Sequence, residues 1–450
     1  MKGKRLTSAA AAAVLMLSLA GCGEPAAPTN GSDIYAKYPE AHVLRLNGQT
    51  ASMDGAALAE FDYTWRADPA LSEVQFTGTA PDENLRAYIA HDIIYYPEIP
   101  ESAFEKENYD GEQEWVTKFT AEGLEDYIFG TLPVLGTAFP SEMMHTAEEA
   151  YDNPVIHITE PGEYIIEGTF HGQLFFDFGD GDDTFADEAA SVVVVLNGAE
   201  VTCSAAPAII FRDVYECDNA WESRESYTDT ADLSDAGVRI VIADGTENHF
   251  TGCNVYRLLK PEYKKGSDSV QKKLWKTDGA FYSFQSIEIG AEEKGTGILN
   301  ITGTTFEGLD SELHLTISGG YVNIFSQDDG INVNEDHVSV FTLNGGHLTV
   351  FAGLGAEGDV IDSNGYIRLN GGVLAGTSKS PADELLDSED GTFISETATV
   401  IYGGSMSAGG AFGLPGEMPP GRPDDMRGEP PPARPAEGPG GMPGMFERSP

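Results

Sequence analysis

The sequence predicts an all-β chain whose larger part is a parallel β-helix, a solenoid of short strands. Three observations predict it. Ser318-Gly319-Gly320, Asn344-Gly345-Gly346 and Asn370-Gly371-Gly372 recur at spacings of 26 and 26 residues, and Gly403-Gly404 follows after 32. Alternating strands precede these pairs (Val338 to Leu343, Ile367 to Leu369, Val400 to Tyr402), and the first three pairs lead into another strand (Tyr321 to Phe325, His347 to Phe351, Val373-Leu374). No helical period separates the strands. A short repeat holding several strands and no helix indicates a solenoid, with alternate apolar residues filling the interior. Each Gly-Gly then marks a corner where φ is positive. The L-x-x-L-x-L spacing of leucine-rich repeats is absent, and propeller blades would need antiparallel hairpins.

Taken from the N-terminus, the chain opens on an address. Lys2, Lys4 and Arg5 precede the apolar run Ala9 to Leu19, which is too short to span a bilayer. The run ends in Leu19-Ala20-Gly21-Cys22, which reads as a lipobox. The expectation is a signal peptide over residues 1–21 and lipidation at Cys22. The protein would then be exported and lipid-anchored to the cell membrane, facing the extracellular side, with the lipid as its only membrane contact. Residues 22–40, rich in Pro, Ala, Gly and Ser, read as a linker.

Residues 41–152 read as an N-terminal strand, His42 to Gly48, followed by an irregular insertion over 61–152. Within it, Glu114 to Tyr127 reads as a short helix, and Trp65, Tyr95, Tyr96 and Trp115 read as members of a small core. The β-helix proper is expected over 153–407. Its first strands are Val155 to Ile158, Tyr164 to Glu167 and Val192 to Leu196, each closed by Gly, Asn or Asp shortly after. Residues 408–450 hold 11 of the 25 prolines and no apolar period, and read as a disordered tail.

Charge narrows the function classes. With 26 Lys and Arg against 73 Asp and Glu, the formal net charge is −47. Such a chain repels nucleic acid and anionic lipid and attracts cations. The acidic residues gather in turns: Asp328-Asp329-Gly330-Ile331-Asn332-Val333-Asn334-Glu335-Asp336, then Glu357-Gly358-Asp359-Val360-Ile361-Asp362, with Asp383 to Asp387 as a further copy. In a solenoid, equivalent turns stack about 4.8 Å apart. Stacked carboxylates repel unless a cation lies between them, and calcium takes six to eight oxygens from Asp, Asn and carbonyl donors. The expected calcium ligands are Asp328, Asp329, Asn332, Asn334, Asp336, Glu357, Asp359 and Asp362. The loop Asp177 to Glu188 has EF-hand length but lacks its Gly at position six, where Asp182 stands, and reads as a surface loop.

Catalytic patterns are few. No Gly-x-Ser-x-Gly, Walker-type or His-Glu-x-x-His motif occurs. Gln327-Asp328-Asp329 resembles the paired aspartates of polygalacturonases, but their companion motifs are missing around Gly346-His347-Leu348 and Ile367-Arg368-Leu369. A lyase would need a Lys or Arg base near calcium, and Arg368 and Lys379 read as surface charges instead. After Cys22, the cysteines are Cys203, Cys217 and Cys253. Cys203–Cys217 is the expected disulfide, with Cys253 as the alternative partner.

From about Asn153 to Met406 the chain resembles the bacterial exported carbohydrate-binding domain family, which is similar to pectate-lyase folds. The resemblance is carried by Gly162 to Gly168, Val195-Leu196-Asn197-Gly198, Ala243-Asp244-Gly245-Thr246-Glu247-Asn248, Asp328 to Asn332 and Gly358 to Gly365. It implies a right-handed β-helix, calcium along the helix, and binding of cellulose-like or acidic polysaccharide. An insertion over Asn254 to Asp278 carries six lysines, from Lys260 to Lys276, and reads as a solvated loop. The sequence reading is therefore a surface-anchored, calcium-dependent polysaccharide binder that does not cleave. Its rivals are a lyase or hydrolase of acidic polysaccharide and a structural cell-surface spacer.

Overall fold

The computed structural model describes residues 34–68, 73–78, 85–91, 104–109, 112–117, 147–178, 190–216, 229–253, 279–355, 358–379 and 384–403. The chain divides into two units, Met1–Pro39 and Glu40–Pro450. In the first, Ile34–Lys37 make a single helical turn, with the Tyr38 N–H donating to Ile34 O at 3.1 Å. No helix of the described residues is long and apolar enough to cross a membrane.

Among the described residues of the second unit, strand is the dominant regular structure, with one short helix at Ala147–Tyr151. One sheet has 17 strands and another has ten, among the described residues. The larger sheet consists of two parallel ladders joined through the long strands Gly162–His171 and Val192–Thr202. In its first ladder, Val192 to Leu196 pairs with Val238–Ile242, which pairs in turn with Ile287–Ala291, Leu315–Ile317, Val340–Leu343, Tyr366–Leu369 and Gly391–Ile394. The second runs from Glu200 to Thr202 through Glu247–Gly252, Ile298–Gly303, Tyr321–Phe325, His347–Ala352 and Val373–Ser378 to Thr399–Tyr402. The ten-stranded sheet is the third ladder. It passes from Val155–Ile158 through Gln173–Asp177, Ile209–Arg212, Phe281–Ser283, Leu309–Ser311, Ile331–Val333 and Ile361–Ser363 to Leu386–Ser388, all parallel. The chain visits the third, first and second ladders in turn and then repeats.

Strand alternation decides the interior. Val194, Ile240, Ile289, Ile317, Leu343 and Leu369 occupy successive register positions, and all are buried. Phe176, Phe211, Phe250 and Phe281 pack ring to ring at 5.0–5.9 Å between centroids. Each such side chain stabilises by roughly 1.5–3 kcal/mol relative to exposure. The corners confirm the Gly-Gly expectation: Gly320, Gly346 and Gly372 have φ of 81°, 76° and 73°. A Cβ on Gly346 would lie 2.6 Å from Gly320 O and 2.7 Å from Gly319 C, so the stacked corners leave room only for glycine.

Coils are also tied by polar side chains. Asn248, fully buried, accepts from the N–H groups of Gly198 (2.8 Å) and Ala199 (2.9 Å) and donates to Ile298 O (3.0 Å) and Thr246 Oγ1 (3.1 Å). It thus joins three coils. Asp244 accepts from the N–H groups of Lys294 and Thr296, each at 3.1 Å. The Ala243-to-Asn248 segment is therefore a structural tie.

The N-terminal strand His42–Gly48 pairs in parallel with Gly162–His171 and so caps the first ladder. Tyr63–Asp68 with Glu73–Gly78, and Phe104–Tyr109 with Glu112–Thr117, form two antiparallel hairpins. The second corrects the helix expected from Glu114: Glu114 to Thr117 is extended and paired. Trp115 and Val116 favour a strand, and cross-strand pairing decides what a lone segment leaves ambiguous. The remainder of that expected helix, Tyr95 and Tyr96, the side chains of Trp65 and Trp115, and the loop 179–188 lie outside the described residues. So do the signal peptide with Cys22, the lysine-bearing insertion and the tail 408–450.

Cys203 and Cys253 are buried free thiols in consecutive coils, with the Cys203 N–H on Thr251 O at 2.8 Å and the Cys253 N–H on Ala206 O at 3.0 Å. Burial pushes the Cys203 thiol up to about 12. Cys217 lies outside the described residues.

Candidate functional site: an acidic array on the third ladder

Four consecutive coils enter the third ladder through the same short pattern. Glu307-Gly308-Leu309-Asp310, Asp329-Gly330-Ile331-Asn332, Asp359-Val360-Ile361-Asp362 and Glu384-Leu385-Leu386-Asp387 each read acid, any residue, apolar, Asp or Asn. The apolar residue is one register column pointing inward: Leu309, Ile331 and Ile361 are fully buried. Period two then sends the following Asp or Asn outward. Asp310, Asn332, Asp362 and Asp387 are consecutive register partners.

The first acid of each pattern is stacked as well. The Gly308 N–H donates to Asp329 O (3.0 Å), Gly330 N–H to Asp359 O (2.8 Å) and Val360 N–H to Glu384 O (3.1 Å). A Cβ on Gly330 would lie 2.2 Å from Val350 Cγ1 and 2.6 Å from Val360 O, which explains the glycine after Asp329. Two columns of acids, seven carboxyls and one amide, therefore run side by side along the third ladder.

The electrostatics of this array are unfavourable without a counter-charge. Asp329 is partly buried, and its carboxyl is pushed up to about 9. Burial is the largest cause, followed by the charges of Asp362, Glu307 and Asp328; the Asp359 N–H, which donates to Asp329 Oδ1 at 2.6 Å, acts in the opposite direction. Glu307 is 5% exposed, and its Oε2 has no hydrogen-bond partner. Asn332 Oδ1 is also buried without one. Burying a polar acceptor unmet costs roughly 1–3 kcal/mol.

Of the expected ligands, the structure brings Asp329, Asn332, Asp359 and Asp362 into this array, with the Asp328 charge acting on Asp329. Asp359 already accepts from the Glu384 N–H. Asn334 lies beside the array and donates to Asp310 at 2.6 Å. Asp336 belongs to a different turn, where it accepts from Asn364 Nδ2 at 3.1 Å and where His337 Nδ1 meets Asp390 at 3.0 Å. Glu357 lies outside the described residues. Sequence reading missed Glu307 and Asp310, and it placed Glu384 and Asp387 in the further copy Asp383 to Asp387 without naming them as ligands. The signal was present in the four-residue pattern, but it recurs at uneven spacing and so escapes a search for a fixed period. Arg368 differs from the expected surface charge: its Nη1 donates to Asp229 at 2.6 Å, and its guanidinium lies 4.8 Å from the Phe393 ring centroid. Lys379 is exposed.

The donor chemistry fits an oxygen-seeking divalent cation, because every side chain of the array offers oxygen and two buried acceptors have no partner. Among the described residues, however, no group of three or more His, Cys, Asp or Glu is gathered closely enough to hold a metal ion.

Residues 233–411 match the family model described as carbohydrate-binding domain-containing protein. The match covers about two-fifths of the 450 residues and includes the whole acidic array. No curated protein matches the chain. Among solved structures, the polysaccharide lyase-like protein from C. thermocellum, as its gadolinium derivative, is similar at 20% identity with a TM-score of 0.35. The similarity covers 58% of this chain and 90% of that one.

Proposed function

We propose that this protein is a non-cleaving polysaccharide binder, built as a right-handed parallel β-helix and held at the cell surface by a lipid on Cys22. The observation that carries the reading is the family match over residues 233–411, which spans the coils from Val238 to Tyr402. The polymers it fits are cellulose-like or acidic glycans.

Calcium is part of the proposal. The residues to hold it are Asp329, Asp362, Asn332 and Glu307, supported by the raised Asp329 carboxyl and the unpartnered oxygens of Glu307 and Asn332. When bound, the ion would neutralise the stacked carboxylates and offer open coordination positions to sugar oxygens. The residues themselves provide oxygen donors from successive coils, so any shared ion would tie those coils together.

A glycan array probed with the intact chain, with and without a chelator, tests the reading. Retention on plant-type glucans or uronates, without release of reducing ends or unsaturated uronates, is the expected result. No retention on any glycan overturns polysaccharide binding. Retention and melting temperature both indifferent to chelator would overturn the calcium dependence alone.

A further inference from the structure

We propose that the exposed face of the second ladder, centred on Tyr321, Asn323, Phe325, His347 and Phe351, is the platform on which an uncharged polysaccharide docks. The proposal rests on the carbohydrate-binding reading above and names the face and the ligand chemistry. Tyr321 and His347 are register partners whose rings stack at 4.7 Å and 8°. Phe325 and Phe351, also partners, stack at 5.2 Å and 9°. Tyr321, Phe325 and Phe351 are 41%, 41% and 40% exposed, while Val322, Ile324, Leu348 and Val350 behind them are fully buried. The core is therefore complete without these rings. A cluster of large aromatics left in water marks an interaction surface.

The two ring pairs stand four residues apart along the strand, about 13 Å at roughly 3.3 Å per residue. Between them runs a polar column. Asn323 Nδ2 donates to Asn300 Oδ1 at 2.9 Å, and Asn300 Nδ2 donates to Glu247 at 3.2 Å. This relay orients the Asn323 amide, with Thr349 beside it in register. Each ring gives one face to its partner, so every pair presents ring edges and its outer faces to solvent on either side of the oriented amide and hydroxyl groups. The apolar C–H surface of a pyranose chain packs against these ring edges and outer faces, and its equatorial hydroxyls reach the polar column.

Charge selects the polymer. Neither Tyr321, Asn323, Phe325, Thr349 nor Phe351 carries a charge at neutral pH, and the chain as a whole is at −47. The neighbouring column adds Glu247, and Lys379 lies at the opposite edge with its Nζ on Leu354 O at 2.7 Å. A uronate polymer would meet this negative protein without a facing row of cations, whereas a neutral glucan meets no penalty. The acidic array belongs to a different ladder of the same coils.

The test is affinity electrophoresis of the full chain in gels containing hydroxyethylcellulose, repeated with polygalacturonate plus calcium. Phe325→Ala with Phe351→Ala should weaken glucan binding about tenfold or more, and Tyr321→Ala by at least about threefold, as for exposed aromatic anchors. Phe325→Tyr with Phe351→Tyr keeps the rings and should retain binding, which separates ring loss from misfolding. Variants retarded by the glucan as strongly as wild type would overturn the platform while leaving carbohydrate binding intact. A wild-type chain retarded by neither polymer would overturn the binding reading and the platform with it.

Discussion

Replacing Gly346 with Ala should destabilise this protein far more than replacing Gly198 with Ala, although the two glycines have nearly the same backbone. Their φ values are 76° and 81°. A left-handed conformation costs an L-residue roughly 1–2 kcal/mol, offset by about 0.4–1 kcal/mol from the less flexible unfolded chain. Gly198→Ala stops there, because nothing lies within 4 Å of its Cβ. At Gly346 the new methyl would meet Gly320 O at 2.6 Å, Gly319 C at 2.7 Å and Gly319 Cα at 2.9 Å. All three are backbone atoms of the preceding coil and cannot rotate aside. The coils must part by several tenths of an ångström, at a cost of about 1–3 kcal/mol. Gly346→Ala should thus cost about 2–4 kcal/mol and Gly198→Ala about 1 kcal/mol or less. Thermal unfolding followed by circular dichroism should show a drop of about 3–6 °C for the first and about 2 °C or less for the second. Equal drops would refute the claim that stacked glycine corners set the coil spacing.

Further outcomes follow from the same structure. In cation-free buffer, the Asp329 carboxyl holds its proton up to about 9 in the folded state but loses it near 3.9 when unfolded, so stability should fall as pH rises between those values. Asp329→Asn should flatten that decline by about 1–3 kcal/mol between pH 5 and 7; in wild type added calcium should reverse it, and a variant with the wild-type slope would count against the array. Asn248→Ala should cost about 3 kcal/mol by urea unfolding, because it strands the N–H groups of Gly198 and Ala199 and Ile298 O. Cys22→Ser should release the protein from membranes or block its processing, and normal cleavage with membrane retention would exclude the lipobox.

The repeat was legible because its causes are local. Alternation in Tyr321 to Phe325 and His347 to Phe351 places every second side chain inward whatever the neighbours are, and the corner glycines keep a spacing of 26. The stacked acidic turns were legible in part: Asn332 and Asp362 are register partners, as the two motifs suggested. The helix expected from Glu114 failed because a segment of mixed propensity takes its structure from a partner strand, here Phe104–Tyr109. Alternation also puts Tyr321, Phe325 and Phe351 on the outer face, but a strand's own sequence does not say whether another segment covers that face.

What the sequence determined by itself was the class of the chain: strands of period two, glycine corners at a solenoid spacing and a large excess of carboxylates. Only the tertiary structure decided which acids meet. Ile331 follows Leu309 by 22 residues, Ile361 follows Ile331 by 30, and Leu386 follows Ile361 by 25, so equivalent positions share no fixed period. Glu307 joins Asp329 because the loops between coils absorb those differences while the hydrogen-bonded ladder holds the strands in register.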